Sequence, residues 1–190
     1  MKIACVIQGD IRRGSELVLQ EMSKHFDSTI LSTWDAEKAI PKGSFSVIQS
    51  AKPPIPGFTS RNLQRKSTAA GIARARAEGC THVLKWRTDM LPTKLDVTQL
   101  LTWSNFQVPA GAKSRLVMPA FRTISIEPDY LSSIPDLFAF GHIDDMEMLW
   151  HDNGFDYLRQ YNIPPEFKNS LHELVSGSDL QDFYCAESEL

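Results

Sequence analysis

Lys85, Arg87 and Asp89 stand at alternate positions where an apolar run, Val83-Leu84 with Trp86, comes to its end. Side chains alternate across a strand, so the three charges share one face, opposite Leu84, Trp86 and Thr88. Ionised groups at the end of a core strand are costly unless something pairs with them. A carboxylate beside an arginine at the carboxyl end of such a strand suits a metal-bound or phosphate-bearing ligand. The same two residues also read as a structural Arg87–Asp89 ion pair.

Ligands of open α/β sheets bind beyond the carboxyl ends of the strands, so the residues at other such ends matter as well. Gln8-Gly9-Asp10-Ile11-Arg12-Arg13 follows the first apolar run. Gly9 permits close backbone approach, and the arginines suit a phosphate. The chain has no GxGxxG and no Walker sequence, which speaks against dinucleotide and P-loop sites. Ser32-Thr33-Trp34-Asp35 offers hydroxyls and an aromatic face, Asp35 reading equally as an ordinary turn residue. Arg61, Asn62 and Arg65 open a helix, and Arg61 and Arg65, four apart, share a face near an N-terminus that favours anions. A solvated basic face is the other reading of that spacing. Asp144-Asp145 follows Gly141-His142-Ile143. N-capping accounts for one of these carboxylates, and the other suits a general base toward an acceptor hydroxyl. His142 reads as a helper or as structural, and Glu187 as a closing residue or part of an acidic tail.

The elements that must position these groups alternate between strand and helix, the pattern of an α/β domain with a mostly parallel central sheet flanked by helices. Strands are expected over 3–8, 29–33, 45–49, 82–87, 116–121 and 137–140. Helices are expected over 15–26, with Ser15 as N-cap, over 61–78, closed by Gly79, and over 95–102 and 144–151. Further helices are expected over 157–161, 164–174 and 180–187. Pro53, Pro54 and Pro56 make 51–57 a loop.

With 190 residues, 42% of them hydrophobic, the chain reads as one domain. A formal charge of −3 argues against a nucleic-acid partner, while the local basic clusters favour an anionic small molecule. The three cysteines, Cys5, Cys80 and Cys185, form no CxxC pair and fit a reducing compartment. The start turns polar too soon for a signal peptide, and no apolar run reaches the roughly 20 residues of a membrane span. A soluble, cytoplasmic protein is expected, with action at a membrane surface still open to it.

Taken in order, Gln8-Gly9, Ser32-Thr33-Trp34, Arg61-Asn62-Leu63-Gln64-Arg65 with Ser67 and Gly71, and Leu84-Lys85-Trp86-Arg87-Thr88-Asp89 resemble the WavE-type lipopolysaccharide-synthesis proteins. Phe138-Ala139-Phe140-Gly141, Asp144-Asp145 and Leu149-Trp150 continue the resemblance to about residue 150. It implies a single GT-A-like, Rossmann-like glycosyltransferase domain, with 1–104 as the nucleotide-sugar-binding half and 105–190 as the acceptor-side half, moving a sugar from a nucleotide-sugar donor, by default a UDP-sugar, to a glycan or lipopolysaccharide-type acceptor. Asp89 would then occupy the metal-binding position of the family's DxD motif, serving Mn²⁺ or Mg²⁺. Here Arg87 replaces the first acidic residue, so the motif reads Arg-Thr-Asp. The resemblance makes Asp145 or Asp144 the base of an inverting transfer. Gln8, Gly9, Asp10, Arg12, Ser32, Thr33, Trp34, Arg61, Asn62, Arg65, Lys85 and Arg87 would be donor-side residues. A non-catalytic nucleotide- or glycan-binding protein of the same fold is the alternative. A phosphate-ester hydrolase is a third class, but the chain lacks the His-rich ligand sets that many of them carry.

Overall fold

In a computed structural model, the structure describes residues 1–54, 60–119 and 137–150. The helices expected beyond residue 150, Glu187 and the far end of the strand expected over 116–121 lie outside the described residues.

Five strands form one mixed sheet: β1 (Ile3–Gln8), β2 (Ser28–Trp34), β3 (Ser46–Ser50), β4 (His82–Arg87) and β5 (Ala139–His142). Their order across the sheet is β3-β2-β1-β4-β5. The first four run parallel, and β5 runs antiparallel to β4 with Lys85 opposite Ala139 and His82 opposite His142. Among the described residues, four helices cover the faces: α1 (Ser15–Met22), α2 (Arg61–Ala77), α3 (Val97–Ser104) and α4 (Ile143–Trp150). The expected α/β architecture with a mostly parallel sheet is therefore present.

β1 and most of β4 are buried on both faces, because helices cover each side of the sheet. On one face Cys5, Ile7, Leu31, Leu84 and Trp86 pack with Val18, Leu19 and Met22 of α1 and Leu100 of α3. On the other, Ala4, Val6, Ile30 and Val83 meet Ile72 and Ala75 of α2 and Ile143, Met146 and Trp150 of α4. Edge strand β3 alternates between half-buried and exposed residues.

Local chemistry sets most boundaries. α2 ends in a Schellman motif: Cys80 N–H donates to the Ala75 carbonyl at 3.0 Å and Gly79 N–H to that of Arg76 at 2.9 Å. Gly79 adopts φ +76°, which a side chain would strain, and the chain turns directly into β4. α3 begins at Asp96, whose carboxylate accepts from Gln99 N–H at 2.9 Å.

Three local expectations need correction. Gly14 at φ +95°, not Ser15, caps α1, and Ser15 instead accepts Arg12 N–H on its hydroxyl at 2.8 Å. α1 stops at Met22, although Phe26 still packs on the core from the following loop. Within the described part of 116–121 there is a single antiparallel bridge, between Val117 and Phe140, and no strand.

Candidate functional site

The chain leaves β1 toward β2 on one side, and later enters β4 on the other side of β1. That reversal makes the carboxyl ends of β1 and β4 a topological switch point, where open α/β sheets bind their ligands. A cleft of about 140 Å³ lies there, lined from the sheet by Gln8, Trp34 and Arg87 and from the loops by Gly9, Asp10, Arg12, Thr88 and Asp89. Ser60, Leu63 and Gln64, at the start of α2, close its other wall.

The end of β4 is held by an ion-paired triad. Arg87 forks onto Asp89, its Nε donating to Oδ1 and its Nη2 to Oδ2, both at 3.0 Å. Arg12, from the loop after β1, donates a third hydrogen bond to Oδ2 of the same carboxylate. The Arg87 guanidinium, with Arg12 beyond it, holds the Asp89 carboxyl below its ordinary range. Asp10 pairs with Lys52 at 2.7 Å, and its carbonyl accepts the Thr88 hydroxyl at 2.7 Å, tying the loop after β1 to the end of β4. Gly9 adopts φ +120°, and a Cβ there would lie 3.3 Å from the Thr88 hydroxyl. The site needs glycine at that point for its backbone as well as for space.

The remaining cleft wall is polar and partly unpaired. Gln8 is buried and accepts the Ser67 hydroxyl of α2 at 2.7 Å. Trp34 is 1% exposed, with Lys52 Nζ 5.6 Å from its ring centroid, and its Nε1 finds no partner among the described residues. Gln64 also lines the cleft, and its buried Oε1 is likewise unpartnered among them. A buried donor and acceptor left unpaired cost stability unless a ligand or water meets them.

The structure thus brings together Gln8, Gly9, Asp10, Arg12, Trp34, Arg87 and Asp89 of the expected site. Ser32 and Thr33 are fully buried instead, and Ser32 donates to the Ser67 carbonyl at 2.6 Å, anchoring α2. Asn62 and Arg65 are buried at the start of α2 and are not among the residues that line the cleft, and the side chain of Arg61 lies outside the described residues. Lys85 sits mid-strand, opposite Val6 and Ala139, fully buried with its ammonium 4.9 Å from the Trp150 ring centroid. Alternation places it on the same face as Arg87, but in the interior and not at the strand's end. Ser60, Leu63, Gln64 and Thr88 are cleft residues that the sequence did not single out as donor-side. Their signal was placement: a helix opening beyond strand ends brings its first turn to the cleft, and Thr88 directly follows β4.

Asp144 and Asp145 stand elsewhere. Because β5 runs antiparallel, its carboxyl end lies beside the amino end of β4, where Ile143 N–H donates to the Thr81 carbonyl at 2.9 Å. Seven residues of extended chain, roughly 20 Å, separate that end of β4 from Asp89. Asp145 accepts from Lys113 N–H, Ser114 N–H and the Ser114 hydroxyl, the closest at 2.7 Å, and so fastens the 113–114 loop. Asp144 pairs with Arg76 at 2.7 Å, which also meets Glu147, and this guanidinium holds the Asp144 carboxyl below its ordinary range. These pairs lie at an open surface, so Arg76→Ala is expected to cost less than about 1 kcal/mol in urea unfolding, with the difference shrinking in high salt.

A divalent ion does not fit the triad as it is arranged. Both Asp89 oxygens accept from guanidinium groups, and no group of three His, Cys, Asp or Glu side chains comes together among the described residues. Among them, too, no helix is long and apolar enough to cross a membrane. Comparison of the chain with models of known protein families finds no match, and none of the curated proteins matches it.

Proposed function

We propose that the chain is a nucleotide-sugar-dependent glycosyltransferase, with the donor's diphosphate in the switch-point cleft and a glycan or lipopolysaccharide-type molecule as acceptor. The convergence of Gly9, Arg12, Arg87 and Asp89 beyond the carboxyl ends of β1 and β4 carries the reading. Loss of a nucleoside diphosphate builds negative charge on the departing oxygen, and preset guanidiniums stabilise such charge without reorganising. A UDP-sugar is the default donor, following the resemblance to the WavE-type proteins. UDP or a nucleotide sugar should raise the melting temperature of the full chain by mass action. No shift with any of a panel of nucleotides and nucleotide sugars, with or without divalent ions, would sink the proposal.

One observation favours a second reading, a binding protein of the same fold without turnover. Among the described residues the cleft's carboxylates are Asp10 and Asp89, both ion-paired, while the acidic pair stands at the other end of the sheet. Release of nucleoside diphosphate from a bound donor, even by slow hydrolysis, separates the two readings. Binding with no release supports the non-catalytic one.

A further inference from the structure

We infer that the cleft holds its diphosphate on a pair of guanidiniums, Arg12 and Arg87, which Asp89 positions, with no divalent ion at the Asp89 carboxylate. The inference rests on the donor reading above and concerns how that site neutralises its ligand.

In a metal-dependent site, carboxylates would be left open toward the ligand. Here an arginine stands two residues before Asp89, and its fork engages both carboxylate oxygens at 3.0 Å. Arg12 closes on Oδ2 from the opposite loop. A divalent cation at Asp89 would have to displace these hydrogen bonds and then sit against two positive charges. The same arrangement suits an anion. Two arginines converge on the one Asp89 carboxylate at the mouth of the cleft, whose single negative charge does not match both. A guanidinium carries five N–H donors, and Arg12, more than half exposed, directs one of them at Asp89. Planar guanidiniums also match phosphate oxygens two at a time.

Backbone and size agree with this assignment. Gly9 keeps the loop after β1 low enough for phosphate oxygens to approach. Ser60, the N-cap of the 17-residue α2, lines the cleft and its side chain makes no cap, so the amino end of the helix stands at the cleft wall uncapped by it. A volume of about 140 Å³ is well below the ~300 Å³ at which pockets for whole drug-sized ligands begin, so the cleft as lined by the described residues is closer in size to the phosphates than to a whole nucleotide sugar.

Calorimetric titration of the full chain with UDP, GDP, ADP and inorganic pyrophosphate, in EDTA and in Mn²⁺ or Mg²⁺, tests the inference. At least one nucleoside diphosphate should bind in EDTA within about threefold of its affinity with metal. Arg12→Ala and Arg87→Ala should each weaken it by about tenfold to a hundredfold. Arg12 is the more exposed of the two and carries the test if Arg87→Ala does not fold. Asp89→Asn is the sharpest variant. It keeps an acceptor for the guanidiniums while removing a negative charge from beside the ligand, so binding should stay within about tenfold. Binding that requires a divalent ion, or that Asp89→Asn abolishes together with metal sensitivity, overturns the guanidinium clamp and leaves the donor reading standing. Absence of binding by every ligand under every condition overturns both.

Discussion

Trp150→Ala is expected to lower the unfolding free energy by about 3–5 kcal/mol, the usual range for truncating a buried aromatic side chain. Trp150 ends α4 and is 1% exposed, packed among Ile72, Ala75, Ile143 and Met146. Its ring also lies under the fully buried Lys85 ammonium, at 4.9 Å from the centroid. Truncation therefore opens a cavity and removes an aromatic face from a cation in a low-dielectric interior, where such a face is worth most. Trp150→Phe should restore most of the loss. It keeps a ring beneath Lys85, and the indole Nε1 it removes has no partner among the described residues. Urea unfolding with an unchanged m-value is the measurement. A loss under about 1 kcal/mol for Trp150→Ala would show that the far end of α4 does not belong to the core.

Gly71→Ala is the second change with a large expected effect, and its sign runs against helix propensity. Alanine in a helix interior is favoured over glycine by about 1 kcal/mol. At this position, however, a Cβ would lie 2.2 Å from Val6 Cγ1 and 3.3 Å from Ser32 Cβ. β1 is buried along its whole length between two layers and has no room to retreat, so α2 must lift from the sheet. Overpacking of this kind costs about 1–3 kcal/mol and occasionally more, so a net loss near 2 kcal/mol is expected. α2 also carries Leu63 and Gln64 into the cleft and holds Gln8 through Ser67, so ligand affinity should fall in the folded fraction too. Val6→Ala removes the clashing methyl groups, and the double variant should recover part of the loss, with a coupling of about 0.5–3 kcal/mol. A neutral or stabilised Gly71→Ala would mean that the contact between α2 and β1 is looser than described.

What the sequence made legible follows from which signals are local. The apolar runs at 3–7 and at Val83-Leu84 with Trp86 announced central strands because both faces of β1 and β4 are covered. Gly79 announced the end of α2 because a left-handed turn there favours glycine. Gln8-Gly9, Arg12, Trp34, Arg87 and Asp89 could be recognised as cleft residues from the position of strand ends alone. The failures share a cause in non-local pairing. Nothing within Ala139–His142 says that this strand runs against its neighbour, yet that direction moves Asp144 and Asp145 to the opposite end of the sheet. Alternation told which face Lys85 occupies but not its depth, which depends on where Trp150 arrives from a distant part of the chain. Phe26 extended the apparent stripe of α1 because a loop residue can fill the same core. The Arg87–Asp89 ion pair is present and itself lines the cleft, so the ion-pair reading and the ligand-site reading are compatible.

The triad has a consequence for when electrostatic work is done. Two guanidiniums repel each other, and a site that first gathered them around an arriving anion would have to overcome that repulsion, and freeze two long side chains, during the encounter. With Asp89 between them, Arg12 and Arg87 are gathered as the chain folds. Under the donor reading proposed above, incoming phosphates would meet guanidiniums already gathered, and a multiply charged ligand would gain more from the pair than chloride or acetate, each of which meets one guanidinium at a time.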